Sequence, residues 1–239
     1  MSEALVHVNG PVWYFPTDGS DRIEPNVGVI AAAQGTVLVD AGNSPRHARR
    51  IATAIKAAGL PPVSHLILTH HHWDHVFGAQ VFDAQIIAHQ LCAESLAERA
   101  NRPWSTPYLE EEALRNPLWE PVYRRMQNAV VDWDTFRMPT ATITFTRNLT
   151  LHFDELTVRV EHVGGKHAPD SAVVLVPQAQ AALVGDSYYA SVQRPMIDKS
   201  IDDSVIQRLL DYEDITYYVD GHTARVMTRD DYASAMTPD

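Results

Sequence analysis

One heptapeptide constrains this chain more than any other stretch: Thr69-His70-His71-His72-Trp73-Asp74-His75. Four imidazoles and a carboxylate follow directly on the apolar run Leu66-Ile67-Leu68. A strand that ends in such a cluster aims several metal ligands at one point. Neutral imidazole nitrogens and carboxylate oxygens are donors that suit zinc. His70 and His72 stand two apart, so in extended chain their side chains project the same way and can meet one ion. Asp74 and His75 come next, at the start of an expected helix, within reach of a second ion. The spacing is that of half a two-metal site. Candidates for the other half each stand just after an expected strand: His167 after 158–163, Asp186 after 181–184 and His222 after 217–219.

The composition allows a full core around such a site. The chain has 239 residues, 45% hydrophobic and 21% charged, enough for one large globular domain and unlike a disordered chain. A net charge of -11 repels phosphate backbones, which argues against a nucleic-acid partner. Cys92 is the single cysteine, so no intramolecular disulfide can form, as suits a reducing compartment. The first residues carry neither a basic segment nor a long apolar one, and no apolar run is long enough to span a bilayer. The expectation is a cytoplasmic protein that acts on a small molecule, without a membrane partner, and with a homodimer as an open alternative.

Along the chain, 27–30 and 36–39 read as a β-hairpin ending at Asp40-Ala41-Gly42. A helix follows, with Ser44 as N-cap, Pro45 at its first position and Gly59 just past its end. Strands are expected at 66–68 and 86–88. Residues 90–134 differ in texture: helical stretches at 94–100, 110–115 and 122–131, punctuated by prolines, with Trp104, Trp119 and Trp133 needing something to pack on. They read as a helical insertion in one domain spanning 1–239. From Thr140 strands return at 142–146, 150–153, 157–162, 172–176, 181–184 and finally 217–219. Helices are expected at 204–212 and 228–235, each capped by Ser or Thr. Strands in hairpin order mixed with helices argue for sheets covered by helices.

Five motifs together resemble the metallo-β-lactamase fold superfamily. They are Leu38-Val39-Asp40-Ala41-Gly42, the heptapeptide, His162-Val163-Gly164-Gly165-Lys166-His167, Leu183-Val184-Gly185-Asp186 and Asp220-Gly221-His222. The resemblance implies a mixed α/β fold, a four-layer αββα sandwich with two metals in a cleft at one sheet edge. It implies two zinc ions, with iron or manganese as alternatives: one on His70, His72 and His167, the other on Asp74, His75 and His222. Asp186 would bridge them, and Asp40 would orient a ligand from behind. The chain departs from the family where many members carry Gly-His-Thr-Pro-Gly-Ser; here Lys166 precedes His167, and Ala168-Pro169-Asp170-Ser171 follow. The 92 positions from His75 to His167 are also a long gap for the family, which the insertion accounts for.

The function this implies is a di-zinc hydrolase that uses a metal-bridging hydroxide on a small ester, lactone or thioester, as in the lactonase and hydroxyacylglutathione hydrolase branch. Asp74 would also move a proton to the leaving group. Tyr189, three places after Asp186, has the spacing of a tyrosine that touches substrate oxygen in lactonases. The alternatives are a β-lactamase, which relatives with Cys or Ser at the Asp186 position exemplify, a phosphodiesterase, and a mononuclear iron dioxygenase. Lys166 and Arg194 are candidate contacts for an anionic substrate, and Trp104, Tyr108 and Trp119 for an apolar wall or a dimer contact. The remaining histidines, His7, His47, His65, His152 and His162, read as structural, with His89 packing near the site and His71 turned away from the metal.

Overall fold

The computed structural model describes residues 3–17, 23–192 and 200–235. β1 (Val6–Asn9) and β2 (Val12–Phe15) pair antiparallel, and β2 pairs with β3 (Val27–Ala32), which forms the expected hairpin with β4 (Gly35–Val39). α1 (Pro45–Ala57) begins as its sequence signals require: Ser44 accepts from the His47 backbone N–H, Pro45 opens the helix, and Gly59 beyond its end has φ +71°. β5 (Val63–Leu68), α2 (Trp73–Val76) and β6 (Gln85–His89) follow. Next come α3 (Gln90–Ala100), α4 (Thr106–Arg115) and α5 (Glu120–Ala129), and then β7 (Ile143–Phe145). β4 to β7 run parallel, which completes a seven-stranded sheet in sequence order.

The second sheet holds β8 (Asn148–Phe153), β9 (Leu156–His162), β10 (Ala172–Val176), β11 (Ala181–Gly185), β12 (Tyr217–Asp220) and β13 (Met227–Thr228). α6 (Asp203–Leu210) connects β11 to the parallel β12, and α7 (Arg229–Ala235) follows β13. Successive side chains of a strand face opposite sides, and the cores divide accordingly. Ile30, Val37, Ile67 and Ile87 of the first sheet meet Val158, Val160, Val174 and Leu183 of the second in one buried cluster. Their neighbours Val29, Leu38, Leu66 and Leu68 face outward under α1 and α3 to α5. Val173, Leu175, Ala182 and Val184 do the same under α6 and α7. The result is the expected order of layers: helices, sheet, sheet, helices.

Beyond shifts of up to four residues at element ends, three details differ from the sequence expectation. β1 and β2 were not anticipated, although Asn9-Gly10 is a strong hairpin signal and Gly10 takes φ +50°. The strand at 217–219 is not the last, because the two-residue β13 adds to its edge. α6 is capped by Asp202, whose Oδ1 accepts from Ser204 N at 3.2 Å, and not by Ser or Thr. Thr228 does serve α7, accepting from Asp231 N at 3.4 Å.

Ile67 has no exposed surface and lies between the sheets, whereas Leu114 on α4 is 82% exposed. Denaturant unfolding should show Ile67→Ala losing about 2–5 kcal/mol, with Leu114→Ala within about 0.5 kcal/mol of the parent.

Candidate metal centre

Parallel pairing brings the C-terminal ends of β4 and β5 to one edge, and those of β11 and β12 to the facing edge of the other sheet. Ala172 N donates to Thr69 O at 2.8 Å and ties the two edges together. Asp40 ends β4 with φ +66°, which turns its carboxylate under the end of β5. Its Oδ1 accepts from Thr69 N and its Oδ2 from Thr69 Oγ1, both at 2.8 Å. His75 Nδ1 donates to the same Oδ2 at 2.7 Å.

These contacts assign the Nδ1 protons of His70 and His75. A threonine hydroxyl has one proton, and Thr69 gives it to Asp40. Its 3.0 Å contact with His70 Nδ1 is therefore one the hydroxyl accepts, which leaves His70 Nε2 as a bare lone pair. His167 Nδ1 likewise donates to Ala190 O at 3.1 Å, which leaves its Nε2 bare. Both bare nitrogens point at His72 Nδ1, from 3.0 and 2.9 Å. One proton on His72 could satisfy one of them but not both. Burial, then the neighbouring imidazoles, hold His70 and His72 well below the usual histidine range, which works against further protonation. Three converging imidazole nitrogens with at most one proton among them fit a cation.

A second group lies beside the first: Asp74, His75, Asp186 and His222. His222 Nε2 is 3.2 Å from Asp74 Oδ2, and His75 Nε2 is 3.5 Å from it. Asp186 stands between the groups, with Oδ2 3.4 Å from both His167 Nε2 and His222 Nε2 and Oδ1 3.4 Å from His75 Nε2. His75 Nε2 and Asp186 Oδ1 are buried without a hydrogen bond. Burial opposes the charged form of His75, but Asp186, Asp74 and Asp40 outweigh it and hold the ring well above its usual value. Burial likewise opposes charging of His222, and Asp186 and Asp74 push it up to about 10. Against its own burial, Asp186 is held well below the usual carboxylate range by His75 and His222. The two clusters suit a dinuclear site.

The loop that carries His222 hangs from Asp220, which is buried. Asp220 accepts from both tyrosine hydroxyls, Tyr188 at 2.6 Å and Tyr189 at 2.8 Å, and from the backbone of His222 at 3.0 Å and Thr223 at 2.7 Å. From the opposite sheet Asn26 donates to Asp220 O and Thr223 O, each at 2.8 Å. Gly221 is there for lack of room: a Cβ would lie 1.9 Å from Asp186 Oδ1. Neither the saturation of Asp220 nor the clamp from Asn26 is legible in the sequence, although Asp220 opens the Asp220-Gly221-His222 motif.

A cavity of about 680 Å³ opens over the two groups and is lined there by His72, Asp74, His167, Asp186 and His222. Trp104, Trp119, Val122, Tyr123 and Met126 of the helical segment form its apolar wall, and Arg99 and Arg102 also line it. Tyr108 packs edge-on against Trp104 and is not part of the lining. Tyr189 is also absent from the lining; its hydroxyl donates to Asp220 and accepts from His222 N at 3.1 Å. Lys166 points elsewhere, with Nζ donating to Ser200 Oγ at 2.9 Å. Arg194 lies outside the described residues. His71 turns to Asp170 at 2.8 Å while still edging the cavity, and His89 stacks on His162 at 3.8 Å.

Residues 21–229 match the family model of the Metallo-beta-lactamase superfamily, and the chain belongs to that superfamily. Solved structures agree on the fold. A metallo-beta-lactamase from Pontibacter korlensis shares 17% identity over 96% of this chain and 94% of that one, with a TM-score of 0.65. One from Erythrobacter litoralis, with beta mercaptoethanol in its active site, shares 15% over 97% and 93%, with a TM-score of 0.61. The stereoselective inverting sec-alkylsulfatase Pisa1 from Pseudomonas sp. shares 12% with a TM-score of 0.67; the match covers 97% of this chain but 40% of that protein. No protein of curated function matches the sequence.

Gly221→Ala should displace Asp186 and lower the bound metal measured by plasma mass spectrometry, with the far-UV circular dichroism unchanged. Without an ion, the raised His75 and His222 are protonated at pH 7, and coordination requires neutral imidazole. Metal uptake should therefore release protons, and affinity should climb with pH until His222 titrates near 10. Calorimetry in buffers of different ionisation enthalpy reads this directly: a binding heat independent of the buffer contradicts it.

Proposed function

We propose that the chain is a two-metal hydrolase of a small ester, lactone or thioester. The observation that supports this most is the pair of convergent donor sets, joined through Asp186, on the floor of a largely apolar cavity. In this reading His70, His72 and His167 hold one ion and Asp74, His75 and His222 the other, with Asp186 reaching both. Zinc suits this nitrogen and oxygen set, and iron or manganese could use the same donors. Two such ions, when bound, supply Lewis acidity toward a carbonyl oxygen and a water acidic enough to ionise at neutral pH.

The protein's own groups do the rest. Asp40 and Thr69 fix the Nδ1–H of His70 and His75, so the nitrogen each ring offers an ion is Nε2, bare on His70 and freed on His75 when its second proton leaves. Asp74 directs Oδ2 at His75 and His222, while its Oδ1 makes no hydrogen bond among the described residues. That oxygen can take up a proton and deliver it to the departing alkoxide or thiolate. Tyr189 serves as a positioning residue, because its hydroxyl links Asp220 to the backbone of His222. The tryptophans of the helical wall keep water from the apolar part of the substrate and bind it. A cytoplasmic setting fits the free Cys92.

The test is a panel of acyl-homoserine and simple lactones, a glutathione thioester, aryl esters and a β-lactam, each run with zinc and after chelation. Cleavage of an ester, lactone or thioester that a chelator abolishes and zinc restores is the expected result. Two bound ions without turnover of any of these, or cleavage of the β-lactam alone, would overturn the reading. Asp74→Asn protein that still binds two ions should lose about 100-fold or more in kcat. Full turnover in that variant removes the proton-transfer role.

A further inference from the structure

We infer that the substrate carries a carboxylate, and that Arg99 and Arg102 receive it on the helical wall of the cavity. This deepens the hydrolase reading and rests on it only for which bond is cut. Arg99 closes the last turn of α3 and Arg102 lies just beyond, and both line the cavity that the two donor sets floor. Arg102 is paired with Glu98 at 2.8 Å, a partner whose side chain is 73% exposed. Such a rim pair is worth little and leaves the guanidinium able to change partners. Arg99 has no ion pair and no side-chain hydrogen bond among the described residues.

A guanidinium cannot shed its proton, so one withdrawn from water must find an anion or lose free energy. Burial and then the charge of Arg102 both weigh on the Arg99 cation, and Glu98 and Asp170 offset them only in part. A neutral apolar ligand seated against Trp119, Val122 and Met126 would make this worse by excluding the remaining water. A ligand that brings its own carboxylate to the guanidinium fork would relieve it with two parallel charge-assisted hydrogen bonds. The other described cation expected to meet an anionic substrate, Lys166, is bonded to Ser200 and does not line the cavity. The substrate is therefore an ester, lactone or thioester with an apolar body and an acidic end, the acid resting on the Arg99 side and the scissile bond over the donor sets.

The test compares binding of 4-phenylbutyrate with that of its neutral isostere 4-phenylbutanamide to the zinc-loaded protein, followed by the fluorescence of Trp104 and Trp119. The acid should bind about tenfold or more tightly than the amide, the equivalent of one charge-assisted hydrogen bond. In Arg99→Gln the ratio should fall about tenfold, and in Arg102→Gln by less, since Glu98 shares that side chain. Should Arg99→Gln fail to fold, Arg99→Met, which keeps the apolar stem, takes its place. A ratio near one in the parent protein overturns the inference. So does a ratio that survives in the Arg99 variants, because the carboxylate is then held by the metal ions. No turnover is needed, so a protein that shows the Arg99-dependent preference yet cleaves nothing in the panel would retain this inference and lose the hydrolase reading.

Discussion

The open edge of the two sheets depends on the compensation of buried lone pairs. Thr69 has a single hydroxyl proton, and its commitment to Asp40 decides the tautomer of His70. The same carboxylate decides that of His75. With their opposite nitrogens occupied, the site-facing nitrogens of His70 and His167 are bare, and that of His75 becomes so once its second proton leaves. Imidazoles 2.9 and 3.0 Å apart with their lone pairs converging are poorly stable in the interior. Such an arrangement persists when the surrounding fold holds it in place, and here the fold does so from two sheets, at the ends of β4, β5, β11 and β12.

That support explains why residues outside the donor sets are so restricted. Gly185 takes φ +52°, and a Cβ there would meet Thr69 Oγ1 at 2.6 Å, the very hydroxyl that fixes the tautomer. Asp220 fills its carboxylate with two phenols, the Thr223 hydroxyl and two backbone amides. Asp40, Thr69 and Asp220 are each held by neighbours, so the rings of His70 and His75 and the loop of His222 are oriented before anything binds.

Much of this could be read from the amino acids, for local reasons. The heptapeptide, the Ser44-Pro45 helix start and the strands at 66–68 and 181–184 are set by short-range spacing, and each emerges in the structure, the first strand beginning three residues earlier than expected. What escaped depends on tertiary placement. Arg99 in α3 and Arg102 just beyond it lie among other charged residues, and nothing in the spacing tells which charges face water and which a cavity. Tyr189 has a suggestive distance from Asp186 in sequence, yet its hydroxyl is taken by Asp220, a contact across 31 residues. The edge strand β1 is largely exposed and lacks a buried face to mark it, while β2, with Val12-Trp13-Tyr14-Phe15, carried a signal that was there to be found.

The donor atoms come from both sheets, with His70 and His222 separated by 152 positions of chain. Ions held among them would act as a removable cross-link. They would close one of the longest loops the chain has, much as a disulfide would in a protein with more than one cysteine. Metal supply would then govern persistence as well as activity: the folded population would be drawn up by binding, and a starved cell would hold a looser, shorter-lived form of the same chain.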